Sequence, residues 1–253
     1  MKVFTISINT VREVIRDRII HVILVLGFIA ILSIRLIAPL SLGEEMRLVR
    51  DFGLSMISIS GILVTVFIST RLVYDEIQRK TIYTIVTKSV SRWEFIFGKY
   101  LGVSTAIFLI TLVLSLVFIG YMLLFGLPIT TNLLIAVFLQ FLELLLVSAI
   151  AILFSTFVSP ISSGIFTFAL YFIGHFTSDL LILGEIGKIK TVKYLATFFY
   201  YILPNLSYFN IRSEAVHNIP ITFNHIFFSS AYGLAYIIVL LSMAILIFER
   251  KDL

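Results

Sequence analysis

Four polar side chains stand out in an otherwise apolar chain. Glu143 falls within LQFLELLLVSA with Gln140 one turn before it, and His175 and Asp179 are spaced i and i+4, on one face of a helix. Ionisable groups at membrane depth cost at least a few kcal/mol each, so these residues are the first candidates for relaying a proton or a cation. The plainer reading is that they satisfy one another or neighbouring helices, with Asp179 approaching the outer surface. Other chemistries lack their parts. With no cysteine there is no disulfide, thiolate metal site or Cys nucleophile, and five methionines give a soft-metal conduit little to work with. Gly98-Lys99 is followed by Tyr100 and has Trp93 where the GxxxxGK[ST] phosphate cradle needs its first glycine, so this chain is not expected to hold ATP itself.

The elements that must carry these groups are set by composition. Of 253 residues, 60% are hydrophobic and 13% charged, and mean hydropathy is +1.10, which makes this an integral membrane protein. Six continuously apolar stretches, at 19–40, 53–74, 100–126, 132–157, 161–183 and 224–248, are each long enough to span the bilayer as a helix. None shows the dyad alternation of a membrane barrel, so the fold class is all-α, a single transmembrane domain over 1–253. The segment 184–223 contains YLATFFYYILPNLSYF, broken by Pro204 and Asn205, and reads as surface or re-entrant helices. The N-terminus keeps charges to Arg18 and has no small-residue cleavage site after its apolar run, so it does not read as a removed signal peptide.

The net charge of +5 does not point to nucleic acid, because Lys and Arg sit in short loops beside apolar runs, where they set orientation. With the N-terminus inside, the cytoplasmic pieces 1–18, 71–99 and 249–253 hold twelve Lys and Arg, against six outside. Both termini are therefore expected in the cytoplasm of a multi-pass protein of the cell membrane. Thr10-Val11-Arg12-Glu13 has the form of a capping box, predicting a short helix from 11 to 18 that either lies at the inner interface or extends the first span.

The loop 75–99 carries the other candidates. Ile82, Ile85 and Val86 fall at i, i+3 and i+4, an apolar stripe on a short helix that also bears Thr81, Thr84, Thr87 and Lys88. Ser91-Arg92-Trp93-Glu94 forms a second capping box ahead of FIFGKYLG. By charge pattern alone this is either a loop that enforces topology or a docking element.

Here the residues resemble a family. Glu76, Lys80-Thr81, the Lys88–Arg92 segment and Gly98-Lys99-Tyr100-Leu101-Gly102 look like the first cytoplasmic loop of type-2 ABC-transporter permeases, and the terminal FERKDL is similar to the family's ending. Lys80 stands where the family usually has Gly, and Ser89 where it has Pro. The resemblance implies the membrane subunit of an ATP-driven exporter, working with a second copy of itself and with a separate nucleotide-binding subunit that supplies ATP and Mg. It also implies that Thr81–Lys88 is the coupling helix, with Glu76, Arg79 and Lys80 leading in and Arg92, Trp93 and Glu94 leading out as partner contacts.

Two other classes compete. An ATP-independent channel or secondary transporter would favour broken helices near the midplane and paired inverted repeats, of which there is little sign. An intramembrane protease is similar in having paired glutamates near arginines, here Glu44-Glu45 with Arg47 and Arg50. The later HxxxN is missing, since His217 is followed at the fourth place by Ile221.

Overall fold

The break between the first two helices is made by one aspartate. Helix α1 (Lys2–Arg16) stops there, and Asp17 caps α2 (Arg18–Ile37) by accepting a hydrogen bond from the Ile19 amide at 2.8 Å. In this computed structural model, which describes residues 2–37, 43–78, 91–177 and 190–250, the chain continues as α3 (Glu45–Gln78), α4 (Arg92–Leu124), α5 (Thr131–Ser155) and α6 (Pro160–His175). Then come α7 (Lys190–Ile202), a 3₁₀ turn (Leu206–Phe209), α8 (Arg212–His217) and α9 (Phe223–Glu249). Among the described residues no strand occurs.

Local chemistry explains the boundaries. The expected capping box at the start of α4 is present, with Glu94 Oε2 accepting from the Ser91 amide at 2.9 Å. The helix ends where Gly126 takes a left-handed φ of +66° and the amides of Gly126 and Leu127 donate to the carbonyls of Leu123 and Met122. Ser159 caps α6 by accepting from the Ser162 amide, with Pro160 at the first helical position, where its missing N–H is harmless.

Five helices among the described residues, α2, α3, α4, α5 and α9, are long and apolar enough to cross a bilayer. The expected fifth stretch, 161–183, corresponds to α6, whose 16 residues reach about 24 Å, and its continuation beyond Thr177 lies outside the described residues. Helix α5 is the centre of the bundle, buried on nearly every face between α3, α4, α6 and α9, while α2 buries only the stripe Ile20, Ile23, Gly27, Ile31 and Ile34.

The helices overrun the hydropathy boundaries. Helix α3 starts at Glu45 rather than 53 and α4 at Arg92 rather than 100, so that 34 and 33 residues give each roughly 50 Å. Hydropathy marks the part of a helix in hydrocarbon, whereas the backbone ladder continues until a cap or breaker stops it. The same reason corrects the reading at Thr10: α1 begins at Lys2, and Thr10 lies fully buried in mid-helix instead of capping a helix at 11.

Small residues set the helix crossings inside the chain. A Cβ on Gly27 would lie 2.6 Å from Ser60 Oγ, one on Gly61 would lie 2.6 Å from Leu144, and Ser163 donates to the Ala151 carbonyl at 3.1 Å. Ser60, Gly61 and Ser163 therefore serve packing within the chain.

Candidate functional site

Two places gather the functional candidates. The first is the base of α4, directly after the loop. Gly98 and Gly102, one turn apart on α4, meet α1 with no side chain between: a Cβ on Gly102 would stand 2.5 Å from Thr10 Cβ and 2.9 Å from the Ser7 carbonyl, and one on Gly98 2.9 Å from Ile6 Cβ. Between the two glycines, Lys99 is 4% exposed and places Nζ 3.5 Å from Glu13 Oε2 on α1. Arg92 reaches to the other side and donates to the carbonyls of Phe248 and Glu249 at 2.9 and 2.6 Å, in the last turn of α9, where unpaired carbonyls attract a cation. Phe95 stacks on Phe248 beneath this contact, ring centroids 5.7 Å apart. The motif GKYLG, with the first turn of α4, thus joins the N-terminal helix, the last helix and α4 into one block. Helix α1 still presents Phe4, Ile8 and Ile15 outward, Phe4 being 71% exposed.

The second place is a cavity of about 470 Å³ between α3, α5, α6 and the Phe209–Arg212 segment. Glu143, midway along α5, points into it with its side chain 5% exposed, 3.2 Å from Nε2 of His175. The approach lacks hydrogen-bond geometry, and Glu143 Oε1 has no hydrogen-bond partner. His175 Nδ1 lies 3.0 Å from the Tyr171 carbonyl, which can only accept, so that nitrogen carries the hydrogen. Gln140 donates to the Leu54 carbonyl at 3.4 Å, and Tyr171 Oη lies 3.5 Å from Ser58 Oγ. At the mouth Arg212 is held by Asp51 at 3.0 Å and Ser55 at 2.7 Å.

The Leu206–Phe209 turn closes one wall. Asn205 caps it by accepting from the Ser207 amide at 3.1 Å, while its own amide donates to Tyr232 Oη at 2.8 Å. Phe209 and Leu206 are fully buried because Gly233 on α9 and Gly174 on α6 leave room for them. Over the described part of 184–223, where surface or re-entrant helices were expected, α7, the turn and α8 are each too short to span.

Of the residues singled out by sequence, the structure brings Glu143, Gln140 and His175 to one cavity. Asp179 lies outside the described residues, as do Arg79, Lys80, Thr81, Ile82, Ile85 and Val86; Glu76 falls in the last turns of α3, where only the backbone is described. Arg92 and Glu94 hold the start of α4 together, and Trp93 beside them is half exposed. Sequence reasoning missed Asp51 and Tyr171, and it placed Arg50 in an outer loop. Arg50 is buried on α3, donating to the Pro128 carbonyl at 3.3 Å. Glu44 and Arg47, weighed for a protease, form an exposed i,i+3 ion pair of 2.8 Å at the start of α3.

No curated protein matches this chain. The family model described as ABC-2 family transporter protein matches residues 4–253, from α1 to the terminal FERKDL, and so takes in both the block at the base of α4 and the cavity. The chain belongs to the ABC-2 transporter family, and is a multi-pass permease subunit of an ABC transporter rather than the ATPase itself.

Proposed function

We propose that this permease is the membrane half of an ATP-driven exporter, with six spans in one domain, both termini in the cytoplasm, and a separate nucleotide-binding subunit that docks on the loop 75–99. In this reading α6 and the residues after it make the fifth of the six spans, and α1 lies at the inner interface with Phe4, Ile8 and Ile15 in the headgroup layer. Two copies face each other across α2, α3 and α6. No cofactor is held by this chain; ATP and Mg belong to the partner.

The observation that carries the proposal is the block at the base of α4. A push on the loop can move helices only if the segment receiving it is rigidly joined to them. Arg92 is fastened to the end of α9, and Gly98, Lys99 and Gly102 are fastened to α1. A force delivered just before Ser91 would therefore reach three helices at once. The coupling helix Thr81–Lys88 would dock its stripe of Ile82, Ile85 and Val86 into a groove of the ATPase, as amphipathic helices do. Glu76, Arg79 and Lys80, together with Trp93 and Glu94, would sit at the rim and select the partner.

Ile85→Asp tests this. It should place an unpaired charge in the interface and cost on the order of 2 to 5 kcal/mol, abolishing co-purification of the ATPase and its stimulation, while Thr84→Asp costs little. Both variants should insert normally. Wild-type co-purification and stimulation with Ile85→Asp would make the loop a topological spacer.

A further inference from the structure

Among the described residues, Glu143 is the least accounted-for group. It stands at the centre of a spanning helix, nine-tenths buried, with one carboxylate oxygen accepting no hydrogen bond. A buried acceptor of that strength is expensive unless a donor or a positive charge arrives. His175 does not fill the need, since its approach at 3.2 Å is out of line. Gln140 is already turned to the Leu54 carbonyl. The oxygen therefore faces a cavity of about 470 Å³, within the range of roughly 300 to 1000 Å³ typical of small-molecule sites.

The walls say what could enter. Phe168, Tyr171, Phe172, Phe176 and Phe209 contribute aromatic surface, and the remaining lining divides between aliphatic side chains and polar ones, Ser55, Ser58 and Asn210 among them. Aromatic faces and a lone carboxylate together favour an organic cation with an apolar body. A bare metal ion lacks ligands, because among the described residues no three His, Asp or Glu side chains gather. An anion would meet the carboxylate, and the cation that might offset it, Arg212, is occupied by Asp51 and Ser55. A lipid chain would fill the space and leave Oε1 without a donor.

We infer that this cavity binds a hydrophobic amine, its ammonium donating to Glu143 and its apolar body resting against Phe168, Phe172 and Phe209. This names the chemical class of cargo for the permease and rests on that reading only in calling the bound molecule cargo. Binding itself needs no ATPase, so it can fail while coupling holds, or hold while coupling fails.

The test uses the full chain in lipid nanodiscs with two fluorescent probes of nearly the same shape, 1-naphthylmethylamine and its neutral counterpart 1-naphthalenemethanol, with empty nanodiscs as blank. A charge-assisted hydrogen bond to a buried carboxylate should make the amine bind at least about tenfold tighter than the alcohol. Glu143→Gln should remove that preference and leave the alcohol's affinity within about twofold, which also reports an intact cavity. Ser58→Leu, which fills the cavity and keeps the carboxylate, should abolish binding of both probes and decides the matter if Glu143→Gln does not fold. Equal affinity of the two probes for the wild type, undiminished amine binding by either variant, or no binding above empty nanodiscs overturns the inference.

Discussion

Replacing Gly102 with alanine should loosen α1 from the bundle by an amount the structure fixes. The new Cβ would lie 2.5 Å from Thr10 Cβ and 2.9 Å from the Ser7 carbonyl, where ordinary contact begins at 3.4 Å. Neither neighbour is the far end of a flexible side chain, so α1 must retreat by about 1 Å along its whole docked face. Overpacking of this kind costs about 1 to 3 kcal/mol. Alanine also favours the helical state of α4 by about 0.5 to 1 kcal/mol, but α4 is helical whether or not α1 is docked, so that gain cancels from the docking equilibrium. The chain has no cysteine, and Thr10, fully buried with an unpartnered hydroxyl, can become the single thiol as Thr10→Cys. Its labelling rate follows the opening of α1, and should rise about 5 to 150-fold in the Gly102→Ala background. Gly98→Ala, whose Cβ meets Ile6 at 2.9 Å, should raise it less, and Gly120→Ala, with nothing within 4 Å, should leave it unchanged. Labelling of the Gly102→Ala protein at the parent rate would refute the packing of α1 on α4.

Two further outcomes are expected. Cysteines introduced singly at Thr87 and at Thr130 should label from opposite sides of the membrane, Thr87 from the cytoplasm; labelling of both from one side ends the six-span topology. Phe209→Ala should empty the space between α9 and the cavity wall and lower stability by about 3 to 5 kcal/mol, read as a fall in Tm in mild detergent. An unchanged Tm would mean that the Leu206–Phe209 turn does not brace the bundle.

How much of this was legible in the sequence depends on the range of the signal. Continuous apolar runs announce helices because one helix satisfies its own backbone, and α2, α3, α4, α5 and α9 all appeared where such runs lie. The Ser91–Glu94 capping box was legible for the same reason, all its atoms lying within one turn. Thr10-Val11-Arg12-Glu13 has the same local form and was misread, because the helix already runs from Lys2 and nothing breaks its backbone ladder before Thr10. Glu143 and His175 were each conspicuous as polar residues in apolar surroundings, and mutual contact was one of the readings offered, but which of the four groups would meet was not legible, since nothing periodic links α5 to α6. Asp51 and Arg212 gave no signal at all: each is an ordinary charge at a helix end until the fold sets them 3.0 Å apart. Arg50 was placed in a loop because hydropathy cannot tell a helix that continues past the hydrocarbon from the loop that would replace it.

The docking of α1 on Gly98 and Gly102 sets an order for the making of the protein. Helix α1 leaves the ribosome well before the glycines that receive it, which lie in α4: Gly102 follows the helix's last residue, Arg16, by 86 positions. At roughly 5 to 20 residues per second, α1 waits about 4 to 17 s for its partner surface to exist. A helix with Phe4, Ile8 and Ile15 on one side has a place to wait, since the bilayer surface can hold that side while the face bearing Ile6, Ser7 and Thr10 stays unoccupied. Helix α1 is thus made well before the surface that locks it, and closing it against α4 marks the moment when the first half of the bundle becomes one body.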